Sequence, residues 1–124
     1  MGPGTQELGH RGEAAACKFL ESSGLTILKK NYRTQRFEID IIAKENDTLC
    51  FVEVKTRTSL KKGLPRESVG HAKQLKIIMG ASYYLKANKL TRQGVRFDVV
   101  EVFYAKDDPD APQINLIRNA FSGG

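Results

Sequence analysis

The stretch EIDIIAKENDTLCFVEVK, residues 38–55, constrains the fold most, because it places charged side chains inside two otherwise apolar runs. The charges of interest are Glu38, Asp40, Glu53 and Lys55. Both runs are rich in β-branched residues and a polar segment separates them, so the stretch predicts a β-hairpin. Because side chains alternate between the faces of a strand, the charges of each run are expected to share one face.

The register of this hairpin determines whether the charges meet. If residues 46–47 form a two-residue loop, Asp40 faces Glu53 and Glu38 faces Lys55. Carboxylates facing each other across an antiparallel pair lie about 5 Å apart and destabilise it unless a cation offsets them. That cation is either Lys55 or a divalent metal ion, which carboxylate oxygens bind well. The hairpin alone leaves open a plain solvated face with a weak Glu38–Lys55 ion pair.

The order of the remaining elements predicts an α/β fold in one domain over residues 1–124, with a core over about 5–105 and a C-terminal strand and tail over about 106–124. A crossover helix between the third and fourth strands lets those strands run parallel. The expected elements are a helix over 5–23 stopped by Gly24, strands over 25–34, 38–43 and 48–57, a helix over 67–87, a strand over 95–105, an acidic turn over 106–112 and a short strand over 114–121.

The two helices differ in the residues expected on their apolar faces. In the first helix Glu13 lies at the edge of the apolar stripe, where a lone carboxylate is costly without a partner. Tyr83 and Tyr84 of the second helix fit core packing better than base stacking. The apolar face of the second helix is expected to contain Val69, Ala72, Leu75, Ile78, Met79, Ser82 and Leu85.

The distribution of charge predicts an anionic partner. The chain carries a net charge of +6, with a pI of about 9.4. Residues 55–92 hold ten Lys and Arg against Glu67 alone, so this segment carries +9 and the remainder −3. Acids that bind a metal, followed by bases that bind phosphates, suit metal-dependent attack on a polyanion. Contacts to nucleic acid are expected from Arg57, Lys61, Lys62, Arg66, Lys73 and Lys76, although Lys61, Lys62 and Arg66 equally fit a soluble loop.

Cysteine and histidine usage argues against other site chemistries. Cys17 and Cys50 stand without a CxxC pattern, and His10 and His71 have no carboxylate spacing typical of zinc, so neither a disulfide framework nor a zinc site is expected. Asp98 is expected to make a structural hydrogen bond on its strand. The sequence shows neither a signal peptide nor a membrane-spanning run, which predicts a cytoplasmic protein without a membrane partner.

The hairpin belongs to a longer pattern: GHRGEAAACKFLESSGLTILKKNYRTQRFEIDIIAKENDTLCFVEVKTRTS, then LPRESV, KQLKIIMGASYYL and RFDVVEV. Over roughly residues 9–102, this pattern resembles the YraN-like family of predicted endonucleases. That family is similar to the PD-(D/E)xK nucleases and is related to archaeal Holliday-junction resolvases. The resemblance implies a restriction-endonuclease-like three-layer fold, with a central mixed β-sheet of about five strands flanked by helices.

Position by position, the resemblance also implies roles for individual residues. Asp40 matches the acid of the first strand motif, Glu53 and Lys55 match the ExK element, and Glu13 matches the helical acid. Asp40, Glu53 and the Val54 carbonyl would hold Mg²⁺ or Mn²⁺, with Glu13 completing the shell or holding a second ion through water. Lys55 would orient or deprotonate the attacking water and stabilise the charge on phosphorus.

Supporting residues and departures from the family pattern complete this interpretation. Glu38 would orient Lys55, and Gln74 matches a helix motif beside the site. Phe37 stands where the family usually has Gly before the EID motif, which bears on how closely a substrate approaches. Ile39 replaces the Pro that gives the superfamily its name, a common substitution there.

The sequence therefore predicts a metal-dependent nuclease that hydrolyses phosphodiester bonds in DNA, with branched or structured DNA as an expected substrate. One alternative is a non-catalytic nucleic-acid-binding module, for DNA or RNA, that retains the nuclease fold. Another is an RNA-directed or ribosome-associated accessory protein. The enzyme is favoured because a pure binder does not need Asp40, Glu53 and Lys55 together. A homodimer is expected by analogy with resolvases.

Overall fold

A five-stranded mixed sheet carries one helix on each of its faces. The computed structural model describes residues 5–58, 69–90, 92–105 and 107–123. The elements are α1 (Thr5–Ser22), β1 (Thr26–Arg33), β2 (Glu38–Glu45), β3 (Thr48–Arg57), α2 (His71–Ala87), β4 (Gly94–Ala105) and β5 (Asp108–Phe121).

The strands lie in the sheet in the order in which they occur in the chain, from β1 to β5. β3 and β4 are parallel, because α2 lies in the connection between them, and every other neighbouring pair is antiparallel. The mixed sheet with helices on both faces confirms the predicted α/β class and is consistent with the restriction-endonuclease-like fold. Within the described ranges, neither helix is long and apolar enough to cross a lipid bilayer.

Each face of the sheet has its own hydrophobic cluster. Under α1 the buried residues are Ala16, Cys17, Leu20, Leu25, Ile41, Ala43, Cys50, Val52, Val100, Val102 and Tyr104. Under α2 they are Ile39, Ile42, Leu49, Phe51, Val69, Ile77, Ala81, Phe97 and Val99. Both cysteines are free thiols, as predicted.

α1 lies unusually close to the end of β3 because it has a glycine at the point of contact. A Cβ placed on Gly12 would overlap the hydroxyl of Thr56 and lie 2.9 Å from its Cβ. The helix ends at Ser22, and Gly24 stops it as predicted with a φ of 97°, while Leu25 N–H donates to the Leu20 carbonyl at 3.0 Å. These contacts fix how α1 presents Glu13 to the sheet.

The second helix starts later than predicted. It begins at His71, and Gly70 is extended, with φ −68° and ψ 164°. The predicted start at Glu67 falls within residues 59–68, outside the described residues. Gln74 helps to hold this start, since its side-chain amide donates to the Val69 carbonyl at 2.9 Å.

The predicted apolar face of α2 is confirmed only in part: Val69 is buried, and Ile78 and Leu85 pack against the cluster under α2. The buried residues of the helix itself are Ile77, Gly80 and Ala81, whereas Leu75 and Met79 are 46% and 54% exposed. The cause is Gly80, where an added Cβ would lie 3.0 Å from the Cβ of Phe37. Because this glycine carries no side chain, the helix backbone approaches β2 there, and that contact determines which face is buried.

The last strand is longer than predicted. β5 begins at Asp108 and pairs with Ala105 of β4, so most of the predicted acidic turn is strand. Prolines at 109 and 112 suggested a turn, but β5 is an edge strand, where a missing N–H is tolerated. Arg11 of α1 fixes its start, donating to the Pro109 carbonyl at 2.8 Å and lying 4.9 Å over the Tyr104 ring.

Candidate active site at the β2–β3 hairpin

The hairpin has the predicted register over the half that contains the turn. Residues 41–45 pair antiparallel with residues 48–52, so that Ile41 lies opposite Val52 and Glu45 opposite Thr48. Asn46 has a φ of 53°, the left-handed conformation that a tight two-residue hairpin loop requires. The turn therefore sets the register that brings the two charged segments to the same end of the hairpin.

Beyond Ile41 and Val52 the two strands separate, and Asp40 fills the gap. Its Oδ2 accepts a hydrogen bond from the backbone N–H of Val54 at 2.8 Å, in place of a backbone carbonyl. On the other side, β2 pairs with β1 at Ile41 and at Ile39 but not at Asp40. The residue of β1 opposite Asp40 is Asn31, which has a φ of 51°. Asp40 is thus placed by an interruption of the sheet on both sides.

The same interruption breaks the expected alternation of faces along β2. Ile39 and Ile42 both pack in the cluster under α2, whereas Ile41 packs under α1. Glu38 lines a groove beside Lys73 of α2 and Asp40 lines a cavity beside α1, whereas the sequence predicted that the two share a face.

Glu53 is the buried acid of the site, with 4% of the residue exposed. Asp40 is close enough to interact with it electrostatically. Burial raises the pKa of Glu53 well above its usual range, and the neighbouring Asp40 raises it further. Two acids in this position need a shared proton or a cation between them.

Two lysines converge on one oxygen of this buried acid. Lys55 Nζ lies 3.8 Å from Glu53 Oε2, and Lys73 Nζ lies 3.6 Å from the same atom. Their side chains are 33% and 43% exposed, so both ammonium groups reach from the buried carboxylate towards solvent. Lys73 was expected only as a phosphate contact, and its link to Glu53 depends on the packing of α2.

Glu13 faces Asp40 across a cavity of about 210 Å³ between α1 and the sheet. Partial burial raises the pKa of Glu13, and the negative charge of Asp40 raises it further. The two carboxyl groups therefore affect one another electrostatically. The exposed His10 also lines this cavity, together with Ala14, Cys17, Lys30, Asn31 and Ile41.

The donor set suits a hard divalent cation that keeps some of its water. In the part of the chain that the structure describes, no three His, Cys, Asp or Glu side chains converge as a preformed cage would require. Mg²⁺ does not need one, since it is commonly bound through one or two carboxylates and several waters. Asp40 and Glu53 provide the carboxylates, and the Val54 carbonyl leaves β3 on the same edge as its N–H, towards Asp40.

Glu38 has a different partner from the one predicted. Its Oε1 lies 3.3 Å from Nη2 of Arg33 on the neighbouring strand β1, and it makes no ion pair with Lys55. The separation of β2 from β3 is the reason, because Glu38 stays paired with β1 while Lys55 follows β3. The prediction that Glu38 orients Lys55 is therefore wrong.

The other expected contacts to nucleic acid lie in different environments. Lys76 is exposed on α2, near Lys73. Arg57 is directed into the sheet, where its Nε lies 3.3 Å from Oε2 of Glu101. Gln74 holds the start of α2 rather than pointing to a carboxylate. Lys61, Lys62 and Arg66 lie outside the described residues.

Two further acids, Asp98 and Glu45, have structural partners on β4 and β5. Asp98 is fully buried and accepts hydrogen bonds from the Arg96 guanidinium at 2.9 Å and from Asn119 N–H at 2.9 Å, as predicted for a structural residue. Glu45 is held by Arg96 and Arg118 at the turn end of the hairpin, each at 2.9 Å. These ion pairs stabilise the sheet away from Asp40.

Comparison with known proteins identifies the family to which this site belongs. The model of the uncharacterised protein family UPF0102 matches residues 12–102, which include the second half of α1, the hairpin and α2. The chain belongs to the UPF0102 family. This finding confirms the resemblance to the YraN-like group of predicted endonucleases.

Relatives in the UPF0102 family match this chain almost from end to end. A UPF0102 protein of Desulforapulum autotrophicum is 53% identical over 116 residues, covering 94% of this chain and 93% of the relative. UPF0102 proteins of Acetivibrio thermocellus and Clostridioides difficile are 50% and 48% identical, over 91% and 94% of this chain and 89% and 97% of their own lengths. These names give the family and no activity, so the chemistry must be argued from the geometry.

Proposed function

We propose that this UPF0102 protein is a metal-dependent endonuclease that hydrolyses phosphodiester bonds in DNA, including branched or structured DNA. One observation carries the proposal: Glu53 is buried beside Asp40, and Lys55 and Lys73 both contact its Oε2 at 3.8 and 3.6 Å. A stable fold does not require such an arrangement, because buried like charges are costly without compensation.

Asp40 and Glu53, with the Val54 carbonyl, would hold Mg²⁺ or Mn²⁺. When bound, the ion would supply Lewis-acid polarisation of the phosphate and a water of lowered pKa. The hydrogen bond from Val54 N–H to Asp40 Oδ2 fixes the carboxylate in the gap between the strands. Glu13, which lines the same cavity as Asp40, would hold water in the same coordination shell.

Lys55 would orient the attacking water and stabilise the charge that develops on phosphorus. Its ion pair with Glu53 supports this role, because the contact holds the ammonium group beside the proposed ion without burying it. Lys73 reaches the same oxygen from α2, so it would bind a non-bridging phosphate oxygen when the substrate approaches. The two lysines thus serve both the buried acid and the polyanion.

Cleavage of defined substrates tests the proposal. Purified protein is incubated with linear, supercoiled, single-stranded and four-way-junction DNA, in Mg²⁺, Mn²⁺ or chelator. We expect cleavage that needs a metal and is lost in Asp40→Asn and Lys55→Ala, while binding of DNA is retained in both. Asp47→Asn, which changes an exposed acid at the opposite end of the same hairpin, should cleave like the wild type.

The outcomes separate an enzyme from a binding module. Equal cleavage by the Asp40 and Lys55 variants would contradict the catalytic assignment and indicate a contaminating nuclease. Tight binding without cleavage under any metal condition, weakening steeply with salt, would instead support a non-catalytic nucleic-acid-binding protein.

A further inference from the structure

A second feature that the mechanism does not use lies around the connection between β1 and β2. A cavity of about 710 Å³ borders this connection and is lined by Tyr32, Arg33, Thr34, Gln35, Arg36, Phe37 and Tyr83. A smaller groove of about 270 Å³ borders its other side and is lined by Arg33, Thr34, Gln35, Arg36, Phe37, Glu38, Lys73 and Lys76. The volume of the cavity is within the range of roughly 300–1,000 Å³ that is usual for small-molecule sites.

The cavity presents aromatic rings in a prearranged setting. Tyr83 of α2 is 53% exposed and lines the cavity. Tyr32 is held from behind by an edge-on contact with Tyr84, with ring centroids 5.2 Å apart. Phe37 is fixed because Gly80 lets the backbone of α2 approach its Cβ. The rings are therefore available to a ligand without prior rearrangement of the core.

The connection itself is held by its own hydrogen bonds. Thr34 N–H donates to the Phe37 carbonyl at 2.9 Å, and Thr34 Oγ1 accepts from Phe37 N–H at 3.0 Å. The same hydroxyl oxygen accepts from Arg36 N–H at 3.3 Å. A side-chain-locked turn of this kind keeps Phe37 and Arg36 in place beside the cavity.

Basic side chains lie between the cavity and the candidate active site. Arg33 and Arg36 border both the cavity and the groove, and Lys73 and Lys76 line the groove from α2. Glu38 offsets only Arg33, at 3.3 Å. Because Lys73 also contacts Glu53, one strip of positive charge runs from the buried acid to the aromatic cavity.

We propose that this cavity, between Phe37 and Tyr83, binds the base of an unpaired DNA nucleotide next to the phosphodiester bond that is cut. The inference rests on the proposed nuclease function and names its substrate class. Aromatic rings beside arginines bind single-stranded nucleic acid by stacking on bases and pairing with phosphates. Bases within a duplex are stacked on each other, so the cavity selects DNA with an unpaired segment, such as a flap, a junction or a single strand.

Tyr83→Trp gives a direct probe, because the chain contains no tryptophan. In an Asp40→Asn background, which prevents cleavage, oligothymidylate should quench the fluorescence of this single tryptophan, and a blunt duplex should not. Leu28→Trp provides a matched control, since Leu28 is a 45% exposed residue that borders neither the cavity nor the groove. Its fluorescence should not change with either DNA.

Affinity measured by fluorescence anisotropy gives an independent test. Tyr83→Ala should weaken binding of oligothymidylate by about 5-fold to 150-fold, the usual effect of losing one base-stacking ring. Binding of the blunt duplex should stay within about twofold of the wild type, and Tyr83→Phe should restore single-strand binding. Because Tyr83 is exposed, its replacement leaves the hydrophobic clusters intact.

The outcomes distinguish this inference from the proposed function. Equal weakening of single-strand and duplex binding, or quenching of Leu28→Trp as strong as that of Tyr83→Trp, would overturn the cavity assignment while metal-dependent cleavage could persist. Failure of the wild type to bind any nucleic acid would overturn the nuclease proposal itself. Quenching by an oligouridylate RNA but not by oligothymidylate would overturn the assignment of the occupant to DNA.

Discussion

At the scale of single residues, the main feature of the site is that Glu53 is an ionisable group in a buried position, which costs folding stability. This carboxyl group is buried against Asp40, and its raised pKa means that ionising it in the fold is unfavourable. Lys55 and Lys73 offset part of the cost. Active sites often keep such strained electrostatics where stability alone would favour a neutral residue.

Glu53→Gln should therefore stabilise the protein when no metal is present. A neutral amide can donate a hydrogen bond to Asp40 without ionising, so we expect the free energy of unfolding in chelator at neutral pH to rise by about 1 kcal/mol, or roughly 4 °C in Tm. The gain should shrink towards pH 5. Since the folded pKa of Glu53 is raised above its unfolded value, its penalty grows as pH rises through that interval.

Thermal unfolding of both proteins across this pH range, followed by circular dichroism, measures the difference. Glu21→Gln, an exposed carboxylate near the end of α1, is the control and should change Tm very little at any pH. A Glu53→Gln protein less stable than the wild type in chelator would show that the buried acid stabilises the fold, contrary to this account.

At the scale of elements, the site depends on the close approach of α1 to the end of β3. Gly12 and Thr56 form this contact, and the next residue along the helix is Glu13. Any change that lifts the helix moves Glu13 away from Asp40 and opens the cavity between them. Helix packing and site geometry are thus coupled at one glycine.

Gly12→Ala should destabilise the protein by about 1–3 kcal/mol, because the new methyl group overlaps the Thr56 side chain. Gly9→Ala is the matched control on the same helix, since a Cβ there meets nothing within 4 Å. It should stabilise the helix by up to about 1 kcal/mol through propensity alone. Chemical denaturation of both variants measures the contrast, and equal effects would refute the proposed close approach.

A second element-scale prediction concerns the turn end of the hairpin. The hydrogen bond from Arg118, assisted by Arg96, lowers the pKa of Glu45 to about 2. A carboxylate with a lowered pKa stabilises the fold above its unfolded pKa and loses that contribution as pH falls towards the folded value. Glu45→Gln should therefore cost about 1–2 kcal/mol at pH 7, after allowance for screening by solvent.

Below about pH 2 the two proteins should converge, because Glu45 is then protonated in both states. Urea denaturation at several pH values follows this convergence. A difference that stays constant from pH 7 to acid would mean that packing, and not charge, explains the effect of Glu45→Gln.

The sequence predicted those elements and residues whose signals are local. The turn at Asn46 fixed the hairpin register, and the crossover helix fixed the parallel pairing of β3 with β4. The break at Asp40 was not predictable, because a strict two-residue alternation assumes an uninterrupted strand. The approach of Lys73 to Glu53, and the buried face around Gly80, depend on tertiary packing that periodicity does not encode.

At the scale of the whole molecule, the two proposals assign metal binding and DNA binding to opposite faces of the sheet. On the α1 side, Glu13 and Asp40 border a small cavity suited to a metal and its waters. On the α2 side, Lys73 and the β1–β2 connection form a positive strip that ends at an aromatic cavity. Asp40 and Glu53 interact electrostatically where β2 and β3 separate, between these two sides of the sheet.

Titration calorimetry with Mn²⁺ tests the central claim, that this gap holds a divalent ion. We expect one binding event in the wild type and in the hairpin control Asp47→Asn. In Asp40→Asn the affinity should fall at least about tenfold, because a ligand is lost together with the carboxylate that Glu53 faces. Equal Mn²⁺ affinity in all three proteins, or no binding by a wild type that cleaves DNA, would contradict the account.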